Sequence, residues 1–373
     1  MAGIYIHVPF CVKKCGYCDF YSIRFCKDSS FVNQYVNSIE KEIVNNAYIF
    51  NNQSIDTIYI GGGTPSILPF NIIESFLVLI SNHYNISKNF ECTIEINPEH
   101  ATNQYFNNLK SSDFINRLST GFQAMNDDGL KYLGRNHSVS DNYRYLDLCE
   151  KFNFSNFSVD YIFGYEILTL SEIERSFKIL SDLNIPHISA YSLGIEENTP
   201  FYKKLELGKI HKIDDDKYLE QFKFIHNFLI NHGYEHYEIS NYSLPNKFSR
   251  HNSNYWNFVP YLGFGPSAHS YYNNSRKWNV RNLKQYVTFE NFSETEFLNI
   301  QDIYNEYIML RFRTFDGLDV NYVEKNFPQF ITSFYNNLNR NDLKQYFVFN
   351  KNKVHLTLDG LFISDYIISE FFV

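Results

Sequence analysis

Six short β-rich runs, each followed by a helical pattern, constrain this chain more than any other feature: Gly3–Val8, Asp56–Ile60, Cys92–Ile96, Arg117–Gly121, Ser158–Phe163 and His187–Ser192. Such alternation builds βαβ units on a parallel sheet. Between the first two runs, Ser29 or Ser30 can cap a helix that places Phe31, Tyr35, Ile39 and Ile43 on one face, a stripe suited to a core. Six units exceed a Rossmann half and fall short of a closed eight-unit barrel, so the expected architecture is α/β, a curved and incomplete (β/α)6 barrel. Polar and glycine-rich segments sit just after the strands: CVKKCGYC, GGGTPS, NPE and FQ in turn. Loops at that end of an α/β barrel vary freely without disturbing the core, and they carry the active site. Beyond residue 290 the pattern turns helical, and YFVFN and VHLTL then flank a short polar turn that reads as a hairpin. The expected division is a barrel over 1–240, a connecting segment over 241–290, and a C-terminal helical, winged-helix-like domain with a β-wing over 291–373.

Charge narrows the choice of partner. Thirty-three basic against forty-one acidic residues leave a net charge of −8, the wrong sign for a chain whose affinity comes from neutralising phosphates. Nucleic acid is therefore not expected, even beside a β-wing. MAGIYIHVPF lacks the basic and apolar regions of a secretory signal, and no apolar run is long enough to span a bilayer. A cytoplasmic location follows, where clustered cysteines bind metal or do chemistry more often than they form disulfides. The 36 Phe and 30 Tyr read as bulky core filling.

Three of the six cysteines fall within eight residues as Cys11-x-x-x-Cys15-x-x-Cys18, while Cys26, Cys92 and Cys149 stand alone. Thiolates this close repel unless they share cationic charge. A structural zinc site wants four protein ligands and would have to recruit His7 or Cys26. A cubane iron–sulfur cluster held by three thiolates instead leaves one iron open to a substrate.

The spacing, with Tyr17 before the third cysteine, resembles the signature of the radical-SAM superfamily. The resemblance implies a [4Fe–4S] cluster on Cys11, Cys15 and Cys18 whose open iron chelates S-adenosylmethionine, and a barrel of the superfamily's incomplete type. It also implies roles for polar residues further on. Gly61-Gly62-Gly63-Thr64 resembles the glycine segment that meets the methionine amine. Glu95 in EINP, Gln123 in GFQ, Arg135 in GRNH and Asp160 in SVDYIFG match positions around the ribose, carboxylate and adenine. Their chemistry suits hydroxyl, ammonium and carboxylate groups. Tyr5 and Ser192, on the first and sixth strands, are further matches.

Over nearly its whole length, through HISAYSLGIEENTPFY and YLGFGPSAHSY, the chain resembles the HemN/HemW group, the oxygen-independent coproporphyrinogen III oxidases and their haem-chaperone relatives. The oxidases carry a fourth cysteine where Phe20 stands here, and a longer lead-in before the barrel. His251-Asn252-Ser253-Asn254-Tyr255-Trp256 matches the HN-x-x-YW motif of the chaperones. The resemblance implies that His251, Asn252, Tyr255 and Trp256 handle haem, since imidazole ligates iron and aromatic rings stack on porphyrin. A buried structural loop is the other reading of that segment, and His269 and His7 are alternative ligands. The implied function is a haem chaperone that passes haem to an acceptor haem protein of respiration. The rival is oxidative decarboxylation of coproporphyrinogen III, and whether the chain is an enzyme or a homodimer stays open.

Overall fold

The computed structural model describes residues 1–26, 30–288, 290 and 292–373. Twelve strands form one sheet. Its centre consists of β1 (Ala2–Val8), β2 (Ser54–Gly62), β3 (Asn85–Glu95), β4 (Arg117–Gln123), β5 (Phe157–Phe163) and β6 (His187–Ser192). These six are mutually parallel and lie side by side in chain order. Helices join them in turn: α1 (Ser30–Asn45), α2 (Phe70–His83), α3 (Asn103–Ser111), the short Asp127–Leu133 followed by α4 (Val139–Lys151), and α5 (Leu170–Asp182). All six expected strands are present, and β3 begins earlier than the apolar pattern suggests because Asn85–Phe90 is mostly exposed or half-buried. Helix α1 buries Tyr35, Ile39 and Ile43 as its spacing predicts. It starts at Ser30, and the alternative cap Ser29 lies outside the described residues.

The two faces of the central strands differ sharply. Ile4 pairs with Ile58, Ile6 with Ile60, and Ile60 with Ile94, all fully buried beneath the helices. On the opposite face Glu95, Ser119 and Ser158 run across three strands, and Gly121, Asp160 and Ser189 across another three. Closed barrels fill that inner space with branched apolar side chains. Here it is polar and hollow. Side chains from β1 through β6 line a single cavity of about 570 Å³, so the sheet must curve round it.

The strands within 241–288 belong to this sheet. Strands β7 (Glu235–Glu238) and β8 (Asn241–Ser243) extend it antiparallel beyond β6. At the other edge β9 (Tyr261–Phe264) adds parallel to β1, followed by antiparallel β10 (His269–Tyr272), β11 (Ser275–Asn279) and β12 (Ser293–Phe297). The expected boundaries at 240 and 290 therefore fall inside one continuous sheet. Buried Glu42 of α1 ties this extension down: its carboxylate accepts bonds from Gly265 N (2.9 Å), Asn279 Nδ2 (2.8 Å) and Tyr286 OH (2.6 Å). C-terminal helices, the longest being Ile300–Phe312, surround a hairpin of β13 (Phe347–Asn350) and β14 (Lys353–Leu356). Leu318–Asp319 adds a third strand to it, which completes the winged-helix-like arrangement.

Candidate functional site

The cysteines lie on an excursion between Phe10–Cys11 and Ile23–Arg24, two short segments that pair with each other. Four anchors hold the loop. Phe201 N donates to Gly16 O (2.9 Å), His7 Nε2 donates to Tyr21 O (2.8 Å), Leu283 N donates to Tyr21 Oη (2.6 Å), and Arg281 Nη2 donates to Asp19 O (2.7 Å). Gly16 is required, because a Cβ there would lie 2.4 Å from the Phe201 ring. Cys11, Cys15 and Cys18 all face the cavity, beside Tyr17 and the exposed Phe20.

The surroundings of the thiols suit an iron–sulfur cluster. Thr64 Oγ1 donates to Cys11 Sγ and Arg135 Nη1 to Cys15 Sγ, each at 3.5 Å. Hydrogen bonds to sulfur are a principal means by which proteins tune such clusters. Burial raises the Cys11 thiol and pushes Cys18 up to about 11, with the neighbouring thiols adding to the effect. Three thiolates this close need a cationic partner to be stable together.

Of the residues expected around S-adenosylmethionine, all but Gly61 line this cavity. Glu95 accepts from Tyr59 Oη (2.8 Å) and Gly62 N (3.1 Å). Its carboxyl is raised to about 7, chiefly by burial and in part by the nearby Asp160. Asp160 itself is pushed up to about 6 by burial, against the pull of Ser189 and Arg117. Tyr5 Oη donates to His7 Nδ1 (3.0 Å), since the other ring nitrogen must carry the proton given to Tyr21 O. Arg135 also donates to Asn97 Oδ1 (3.2 Å) and Gly121 O (3.1 Å), so its guanidinium braces two loops beside Cys15. Gln123 is held at φ 65°, and its Oε1 is buried with no partner among the described residues. A strained residue with an orphaned acceptor in a cavity marks a place for a ligand donor. Ser192 stands exposed at the end of β6.

The glycine segment is also constrained by packing. A Cβ on Gly62 would meet the His7 ring at 2.6 Å, and one on Gly63 would meet Phe10 O at 2.7 Å. Gly62 leaves room for His7 of β1, and Gly63 for the backbone at the start of the cluster loop. Arg117 was missed by the sequence reading as a site residue. It lies 1 % exposed at the start of β4, lines the cavity, and its Nε has no partner among the described residues. Its position shares the two-residue period of Ser119, Gly121 and Gln123, the signal that could have found it.

The HN-x-x-YW segment forms helix α6 (Arg250–Trp256) at the opposite end of the bore from the cysteines. Glu91 caps it, accepting from Arg250 N (3.2 Å) and His251 N (3.0 Å). His251 is 2 % exposed, with Nδ1 on Thr57 Oγ1 (2.9 Å) and Nε2 on Tyr255 Oη (2.8 Å). Both nitrogens are thus engaged. Of the four motif residues Asn252 alone lines the cavity, while the Trp256 ring lies 6.0 Å below the Arg313 guanidinium.

Residues 5–180 match the profile of the Radical SAM superfamily, the class that this half-open barrel and cysteine loop define. The chain is 33 % identical over 355 residues to the haem chaperone HemW of Buchnera aphidicola subsp. Schizaphis graminum, spanning 89 % of this chain and 91 % of that protein. It is 33 % identical over 288 residues to the Bacillus subtilis HemW, 77 % and 75 % of the two chains, and 29 % identical over 372 residues to that of Lactococcus lactis, 98 % and 96 %. The solved coproporphyrinogen III oxidase HemN of Escherichia coli shares the fold, with a TM-score of 0.84 at 20 % identity over 99 % of this chain and 89 % of that one. The chain belongs to the HemN/HemW group of radical-SAM proteins, within its HemW family.

Proposed function

We propose that the chain is a cytosolic haem chaperone, which binds haem, carries a [4Fe–4S] cluster with exchangeable S-adenosylmethionine, and passes haem to an acceptor haem protein of respiration. The observation that carries this reading is the kinship with HemW chaperones along nine-tenths of both chains. Cys11, Cys15 and Cys18 would hold three irons. Tyr5, Tyr17, Gly62, Gly63, Thr64, Glu95, Gln123, Arg135, Asp160 and Ser192 would surround the bound S-adenosylmethionine, which supplies a deoxyadenosyl radical when its sulfonium is reduced. Glu95 and Gln123 offer acceptors to its hydroxyl and ammonium groups, and Thr64 and Arg135 hold two thiolates in place. In this reading α6 closes the lower end of the bore. His251 holds that helix in place on Thr57 and Tyr255, Asn252 reaches the cavity for haem, and Trp256 packs behind them.

Haem titration of the anaerobically reconstituted protein tests the reading, followed by mixing with an apo haem protein. Saturable binding and transfer are expected, and no Soret band at all would remove it. The completeness of the polar cavity favours one rival, oxidation of coproporphyrinogen III. Multiple turnover to protoporphyrinogen under reducing, anaerobic conditions would establish that rival instead.

A further inference from the structure

Four Asp, Glu, Lys or Arg side chains are buried among the described residues: Glu42, Glu91, Arg117 and Glu238. Three of them are held by donors within the chain. Glu42 accepts from Gly265, Asn279 and Tyr286, Glu91 from the Arg250 and His251 nitrogens, and Glu238 from Ser240 N and Asn241 Nδ2. Arg117 is the exception. Its guanidinium makes no hydrogen bond or ion pair among the described residues, although it is 1 % exposed and lines the cavity. Arginine stays charged at any ordinary pH, and a buried charge without a partner is costly, so the position makes sense where a partner arrives as a ligand.

Arg117 opens β4, and six residues, about 20 Å of strand, separate it from Gln123 at the cysteine end of the bore. It shares the base with two other unengaged polar groups that line the same cavity. His187 opens β6, and its Nδ1 is buried without a partner while Nε2 meets Tyr237 Oη at 2.7 Å. Burial keeps this imidazole neutral, and with Tyr237 donating to Nε2 the ring proton sits on Nδ1 as a free donor. Asn252 reaches in from α6, and its side-chain amide has no partner among the described residues; only its backbone nitrogen is engaged, on Ser249 Oγ. The acids on this face are placed elsewhere. Glu91 spends both oxygens on the α6 backbone. Asp160 lies in register with Gly121, four residues further along the bore, and forms no ion pair with Arg117.

We propose that the base of the bore is a binding site for the carboxylate of a second ligand, distinct from S-adenosylmethionine, with Arg117 forking onto the carboxylate and His187 and Asn252 donating beside it. One cation and two neutral donors match a planar monoanion, and the guanidinium fork fits a carboxylate on two bonds. A phosphate dianion would lack its second cation. Because Arg117 is so deeply buried, the carboxylate must come on a short, narrow alkyl arm. Two sources carry that chemistry, the propionate arm of a porphyrin and a free short-chain acid. The site goes beyond the haem-chaperone reading and does not depend on it.

The test uses the cluster-loaded full chain with S-adenosylmethionine present, in two assays. Equilibrium dialysis measures radiolabelled propionate, and optical titration compares haem with haem dimethyl ester, which lacks the free carboxylates. The parent should prefer the free carboxylate in at least one assay, and Arg117→Gln should weaken that preference about tenfold or more. Asn252→Ala, at a partly exposed helix position, should weaken it in the same direction. Saturable propionate binding with haem and ester held alike would identify a free acid as the occupant, and tighter binding of haem than of ester would identify a porphyrin arm. The SAM-dependent shift of the cluster EPR signal should persist in both variants. Without ligand, Arg117→Gln should unfold at a higher urea concentration than the parent, because an unpaired buried charge is removed. No carboxylate preference in either assay, or one that both variants leave unchanged, would overturn the proposal. A lower urea midpoint for Arg117→Gln together with unchanged carboxylate binding in Asn252→Ala would overturn it equally, and would make Arg117 a support of the fold.

Discussion

Replacing Glu95 by Gln should change the pH dependence of stability by an amount that can be worked from the site. The carboxyl is raised from 4.5 to about 7, chiefly by burial. Because the folded value exceeds the unfolded one, its contribution to stability is complete below 4.5 and is lost as pH rises through about 7. Linkage over that interval makes the parent lose about 2 kcal/mol more than the variant between about pH 5.5 and about pH 8.5. Cavity water trims this figure, so it is an upper bound. Glutamine keeps one acceptor for Tyr59 Oη and Gly62 N where the carboxyl group has two oxygens, which costs about 1 kcal/mol. The apo variant should therefore be the weaker protein in acid and the stronger one in alkali, while binding S-adenosylmethionine less tightly. Urea unfolding of both apo proteins at the two pH values reads the difference directly. Parallel pH curves for parent and Glu95→Gln would refute the reasoning, because the burial that raises this carboxyl would then not be felt by the fold.

Three further substitutions probe the cluster loop and its supports. Gly16→Ala puts a methyl into the Phe201 ring and should cost about 1–3 kcal/mol with reduced iron loading; Phe201→Ala in the same chain should restore the loading. Arg135→Lys keeps the charge but loses the fork that joins Cys15, Asn97 and Gly121. The cluster potential should fall by on the order of tens of mV in an EPR redox titration. His251→Ala strips the partners from the Thr57 and Tyr255 hydroxyl groups and should destabilise the chain by about 2–4 kcal/mol, read as a lower urea midpoint with an unchanged slope.

Much of the barrel was legible because its six strands combine β-branched apolar residues with turn signals, and because each carries an apolar face toward a helix. The cavity wall was legible in part. Glu95, Gln123 and Asp160 sit at or near strand ends, where polar residues stand out against an apolar run. Arg117 does not stand out, since a charged residue at the start of a strand ordinarily faces solvent. The sheet extension was hidden for another reason. β9 pairs with β1 across most of the chain, and its neighbours are four- and five-residue strands with no strong alternation. Placing 241–290 as a connector missed this long-range pairing. The glycine triplet was found, but its packing against His7 and Phe10 depends on a loop whose path no local pattern encodes. His251 and His269 look alike as letters in a sequence. Their difference lies in Thr57 and Tyr255, which only the fold brings to one of them.

The cluster and its open iron are tested most directly by EPR of the anaerobically reconstituted, reduced protein with and without S-adenosylmethionine, alongside iron and sulfide analysis. About four irons and four sulfides per chain are expected, with a signal that shifts when S-adenosylmethionine is added and that is absent from a Cys11, Cys15 and Cys18 triple alanine variant. A single tightly held zinc, or a cluster signal that ignores S-adenosylmethionine, would contradict the site described for these three cysteines.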